Sequence, residues 1–213
     1  SPGSPVAYWV SDKVREIFVN AESINELASP KQGSTIGDNE RFLRRWSEIS
    51  FPFAKRWKPS IKGGDFRRWY GNNSYVVHWG DNGNEIKSTG RATIRNGYYL
   101  FKAGIEWSRI SSAQSSFRIL QEGFFHESAS GVAFPQEKDI FSILLFLNTQ
   151  IAKYFLALLN PTMTFQSGDI ARLPFIKGSD NKIGKSLVAI SKNDWDSYET
   201  SWDFTENPII RTQ

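Results

Sequence analysis

One stretch constrains the fold of this chain more than any other. From Ile140 to Leu159 most residues are apolar, and Asn160-Pro161 stops the run. Asn148, Thr149, Gln150 and Lys153 interrupt it, which makes it a poor membrane span. The spacing instead predicts a buried amphipathic helix over 138–159, with Asp139 near its start.

The rest of the chain supplies partners for that helix. Short apolar runs at 98–101, 105–110, 117–120, 123–125 and 132–134 read as strands. Arg67 to Tyr70 and Tyr75 to Trp79, separated by Gly71-Asn72-Asn73, form a hairpin pattern. Ile24 to Ile36 reads as a strand entering a loop. Arg41 to Ile49 reads as a half-exposed strand, although Phe42, Leu43 and Trp46 also fit a helix. Lys62-Gly63-Gly64-Asp65 is a loop, and Ile170 to Phe175 suggests an edge strand because of Pro174. Helices are expected over 5–19 and 182–191. The fold class is therefore α+β, a curved and mostly antiparallel core of short strands with one long packed helix and flanking helices. With 213 residues, 39% hydrophobic and 23% charged, a real core is expected. The expected divisions are a helical connector at 1–30, a central domain at 31–177, and a helix and tail at 178–213.

Composition closes several routes to function. There is no cysteine, which excludes disulfides and thiolate metal sites, and only two histidines, His78 and His126, are present. No phosphate loop, dinucleotide fingerprint, nucleophile elbow or zinc-protease signature occurs. Asn160-Pro161-Thr162-Met163 invites comparison with the Asn-Pro-Pro-Tyr motif of amino-methylating DNA methyltransferases, but it lacks the second proline and the aromatic. Its plainer reading is a helix stop. His126-Glu127 reads as structural. Nothing at the start resembles an export signal, so the expected compartment is the cytoplasm, with no membrane partner.

Charge is unevenly placed. Residues 41–70 hold nine Lys/Arg against Glu48 and Asp65, a local charge of +7 in a chain of net +4. Residues 91–118 add five basic residues against Glu106, while 185–213 carry three basic and five acidic residues. Such asymmetry points to a polyanion face. Trp46, Trp57, Trp69 and Trp79 fall in or beside the basic stretch; most of them are expected in the core, with at most one free to touch a ligand. Two loops carry groups that suit DNA. Lys55, Lys58, Lys62, Arg67 and Arg68 are candidate phosphate contacts. Asn72, Asn73, Arg109, Gln114 and Arg118 are candidate base readers.

Several blocks in order along the chain carry a resemblance. They include Ile36-Gly37-Asp38-Asn39-Glu40-Arg41-Phe42-Leu43-Arg44, Lys62 to Asn73 (KGGDFRRWYGNN), Gly104 to Ser112 (GIEWSRISS), and Asp194 to Phe204 (DWDSYETSWDF). Gly3 to Ser11 and Leu159-Asn160-Pro161-Thr162 with Gly168-Asp169-Ile170 belong to the same set. Together they resemble the C-terminal target-recognition region of the adenine-specific DNA methyltransferases of BREX phage-defence systems (the PglX family) and of type IIG restriction–modification enzymes. The resemblance implies a TaqI-like target-recognition fold that binds double-stranded DNA and positions an adenine for N6 methylation. It places the S-adenosylmethionine fold and the catalytic motif upstream, so no cofactor is expected here and the parent would supply S-adenosylmethionine. It also implies a fragment, with partners in the parent's catalytic domain and in other phage-defence proteins. A protein-interaction module docking through the acidic tail with Trp195 and Trp202 is the second reading, and a carbohydrate-binding β domain the third. Intrinsic catalysis has the least material.

Overall fold

Asn148 breaks the long apolar run. The computed structural model describes residues 10–50, 55–111, 114–178 and 180–210, and in it the run is two helices, α5 (Ile140–Leu147) and α6 (Gln150–Leu159), bent by 76°. The Asn148 side chain leaves the helix to clamp a strand: Oδ1 accepts from Phe117 N at 3.1 Å and Nδ2 donates to Phe117 O at 2.9 Å. Thr149 then caps the second helix, accepting from Ala152 N. No single helix among the described residues is long and apolar enough to cross a membrane.

The other elements are, in chain order, α1 (Asp12–Asn20), α2 (Ile24–Ala28), β1 (Lys31–Gln32), α3 (Asn39–Phe42), β2 (Leu43–Arg45), β3 (Trp57–Ile61), β4 (Tyr75–His78), α4 (Asn84–Ser88), β5 (Gly104–Ser108), β6 (Phe117–Leu120), β7 (Phe125–His126), β8 (Ser130–Ala133), α7 (Ser167–Ala171) and α8 (Asn181–Asp196). The first sheet, in the order β1-β8-β5-β6, is antiparallel throughout. The second runs β2-β4-β3-β7, with β3–β7 its one parallel pair. The α+β class and the mostly antiparallel strands agree with expectation.

The first sheet is covered on both faces. Ile105, Trp107, Phe117 and Ala133 face a core built with Ile143, Leu144, Phe155 and Leu156 of the helices. Val14, Ile17 and Phe18 of α1 and Val188 of α8 pack on that same core. The opposite face sets Leu120 and Val132 against Ile61 of β3 and Phe124, so the second sheet closes it. Each fully buried apolar side chain here contributes about 1.5–3 kcal/mol. Trp107 lies over its register partner Gly131, where a Cβ would meet the indole at 2.2 Å; only glycine admits this approach.

Several local expectations change. Arg67 to Tyr70 is not a strand. Trp69, Gly71 and Asn72 have positive φ, so the backbone turns instead of extending; Trp69 makes a single parallel bridge with Arg118 at the edge of β6, and β4 pairs with β2 and β3. Ile24 to Ala28 is helical because Ser23 and Glu26 form a reciprocal cap. Residues 41–49 split into the end of α3, β2 and a 3-10 turn. Gly97–Tyr99 is a 3-10 turn; of the edge strand expected over 170–175, Ile170 and Ala171 end α7, while Pro174 makes a single antiparallel bridge with Ser23. The helix expected at 182–191 extends over Asn181–Asp196. The helix expected from residue 5 begins at Asp12, its first residues lying outside those described.

Candidate nucleic-acid interface

The two loops singled out from sequence meet at one cleft. Gly63 and Gly64 take positive φ (67° and 118°), a conformation that glycine adopts without strain. This aims the Gly63 N–H at Ser130 Oγ (2.6 Å) and the Gly64 carbonyl at Ser108 Oγ (3.0 Å). Lys62 and the glycines thereby sit beside the end of β5. The resulting cleft of about 200 Å³ is lined by Lys62, Gly64, Arg109, Ile110, Thr164 and Gln166 among others, and no lining residue is acidic. Lys62 also borders a neighbouring open groove with Arg44, Arg45 and Tyr75, which Glu40 and Glu48 line as well. There its Nζ lies 5.0 Å from the Tyr75 ring centroid, with the Arg45 guanidinium 5.9 Å away on the same ring. Two cations on one aromatic form a basic shelf.

Arg109 reaches into the cleft on fixed supports. Nη1 donates to Ser128 O (2.9 Å) and Nη2 to Gln166 Oε1 (2.7 Å), while its buried Nε has no partner. Gln114 borders a second, smaller cleft with Ser115, Lys153 and Asn160. Lys55 and Lys58 are exposed.

Other sequence candidates are placed differently. Arg118 as a base reader is overturned: it is fully buried, with Nε on Glu106 Oε1 at 2.8 Å and Nη1 on Arg67 O at 3.1 Å. It projects from the face of β6 opposite the helical core, where Arg67 O and Ser108 Oγ receive its guanidinium, so a residue that alternation marks as outward lies inside. Burial pushes the Glu106 carboxyl up, and Arg118 pulls it back. Asn73 is also buried, which removes it as a base reader. Asn72 donates to Asp65 O at 2.9 Å, holding the turn. Arg67 pairs with Asp194 at 2.9 Å and lies over Trp195. Arg68 is half-buried over Phe66.

The four tryptophans of the basic stretch all pack internally. Trp79 is buried against Phe101 and Phe125, Trp69 lies on the helical core, Trp57 meets His78, and Trp46 meets Trp202. Trp195 is buried, and Trp202 is half-buried against Phe124. Nor does the Asn160 tetrapeptide present its amide. Nδ2 donates to Thr164 O and Asp169 Oδ2, and Oδ1 accepts from Thr162. These bonds fix a turn, and the clefts beside it, about 140 and 200 Å³, are below ligand-pocket size. The residues at this site do not fit S-adenosylmethionine.

Sequence reasoning missed Arg44, Arg45, Tyr75 and Gln166 as neighbours of the cleft. The arginines were visible in the +7 stretch; Gln166 had no local signal.

No family model matches the chain. Curated relatives do. It is 36% identical over 233 residues to the adenine-specific methyltransferase PglX of Lacticaseibacillus casei (strain Zhang), covering 98% of the chain and 19% of that protein. It is 32% identical over 220 residues to the adenine-specific methyltransferase BrxX of Escherichia coli O9:H4 (strain HS), covering 98% of the chain and 18% of that protein. The chain corresponds to one region of the PglX/BrxX adenine-specific methyltransferases. It spans under one fifth of the length of the curated relatives it matches. The likeness runs over both sheets and the helices around them, so the cleft at Lys62 and Arg109 lies within the shared region.

Proposed function

We propose that this chain is the DNA sequence-recognition domain of an adenine-specific methyltransferase in a phage-defence system. It binds double-stranded DNA and positions a target adenine for N6 methylation by a catalytic domain of the parent protein, which uses S-adenosylmethionine. The observation that carries this reading is the joining of the Lys62–Gly64 segment and the β5 end at a cleft with no acidic lining residue; Lys62 links it to a groove where Arg44 and Arg45 stand with Glu40 and Glu48. Lys55, Lys58, Lys62 and Arg45 hold phosphates and set register; Arg109, Gln114 and Gln166 supply groups that suit base edges.

The test is binding of the chain to a random-sequence duplex pool across a salt series, with bound DNA sequenced. Steep salt dependence and an enriched motif support recognition. No binding at low salt overturns it.

A further inference from the structure

A paired tip stands beside the cleft. Ile110 forms an antiparallel bridge with Thr164, Phe165 N donates to Arg109 O at 2.7 Å, and Ser111 N donates to Met163 O at 3.2 Å. Two segments distant in sequence thus run side by side as a minimal ladder. At its outer end Ile110 and Met163 are 74% and 62% exposed. The base of the ladder is fastened: Trp107 Nε1 donates to Phe165 O at 2.9 Å, Asn160 Nδ2 to Thr164 O at 3.0 Å, and Thr162 and Thr164 hydroxyls bond at 2.9 Å. Two large apolar side chains are therefore held in water by a braced support.

The flanks say what the tip meets. One is the cleft of Lys62 and Arg109, the other the cleft of Gln114, Ser115 and Lys153, and neither has an acidic lining residue. Cations on both sides of an apolar tip complement a polyanion whose interior is apolar. Two side chains alone supply far less than the roughly 1,000 Å² that a stable protein interface needs. The neighbouring amides of Gln114 and Gln166 match base edges.

We propose that Ile110 and Met163 act as a wedge that enters the minor groove of duplex DNA and partly unstacks one base step, while Lys62 on one flank and Lys153 on the other hold the phosphates. The inference rests on the DNA-binding reading. Apolar wedges of this kind kink the duplex away from the groove they enter, and the bend brings the flanking cations closer to the backbone.

The experiment uses the whole chain and an end-labelled duplex of about 30 base pairs, reading affinity by anisotropy and bending by energy transfer. The wild-type chain should shorten the end-to-end distance on binding. An Ile110→Ser/Met163→Ser variant should bind about tenfold more weakly with an unchanged salt slope and leave the duplex straight. Met163→Leu, which keeps the apolar group, should bend DNA as wild type does. Thermal melts of all variants should coincide, because the exchanged side chains are exposed. If the double variant bends DNA and binds within twofold of wild type, the wedge is overturned and DNA binding stands. If the wild-type chain binds no duplex, the DNA-binding reading falls and takes the wedge with it.

Discussion

Arg118 Nε donates to Glu106 Oε1 at 2.8 Å across the β5–β6 ladder, where the two are register partners and both are buried. The same guanidinium donates to Arg67 O and to Ser108 Oγ, and Ser108 in turn donates to Gly64 O. One buried ion pair thereby holds the glycine loop and the β5 end at a fixed spacing. Breaking the pair leaves a charge stranded inside. Arg118→Ala should cost about 3–5 kcal/mol, whereas Glu106→Leu/Arg118→Met should cost much less. Urea denaturation of the two variants checks this, and equal losses would contradict it.

His126 is buried against Phe134, with Nε2 unpartnered and the ring hydrogen-bonded to the Lys102 backbone. Burial lowers its pKa to about 4. Between pH 6.5 and 4 the unfolded chain binds the proton and the folded chain does not. This contribution to stability is present above pH 6.5 and is lost as pH falls toward 4, by about 3 kcal/mol. Stability measured against pH should show that loss, and His126→Leu should flatten it.

The bend between α5 and α6 depends on Asn148. Its amide bonds both Phe117 backbone groups, which lie within the sheet. Asn148→Ala strands the buried Phe117 N–H, while the Phe117 carbonyl keeps the Trp69 N–H at 2.9 Å, and should cost about 1–3 kcal/mol. A conservative Asn148→Asp keeps the acceptor but loses the donor, and should also destabilise. Chemical denaturation reads both.

At the DNA face the residues should separate by role. Lys62→Ala should weaken binding to all sequences and lower the salt slope by about 1. Arg109→Ala or Gln114→Ala should relax one position of specificity at a cost of about 1–3 kcal/mol. Binding isotherms on matched and mismatched duplexes distinguish the two patterns, and unchanged affinity and specificity would remove the residue concerned.

How far the sequence revealed this arrangement depended on whether the deciding contact was local. The helical character of 140–159 was legible because periodicity is local. Its break was not, because the partner of Asn148 is the backbone of Phe117, 31 residues away. Ile105-Glu106-Trp107-Ser108 and Phe117-Arg118-Ile119 alternate like strands with one wet face. The Arg67 backbone and the Ser108 hydroxyl close over Arg118 on that face, and nothing near Arg118 in the sequence announces it. The Gly71-Asn72-Asn73 turn was real, with positive φ at Gly71 and Asn72, yet β4 took β2 and β3 as neighbours. Meeting of the 62–64 and 108–110 segments was anticipated only as two separate basic loops; the Ser108–Gly64 bond that joins them spans 44 residues.

The most direct test of the central claim is selection from a random duplex pool by this chain across a salt series, with the bound DNA sequenced. Recognition requires a steep fall of affinity with salt together with an enriched asymmetric motif that changes in the Arg109→Ala variant. Absence of binding at low salt would contradict it.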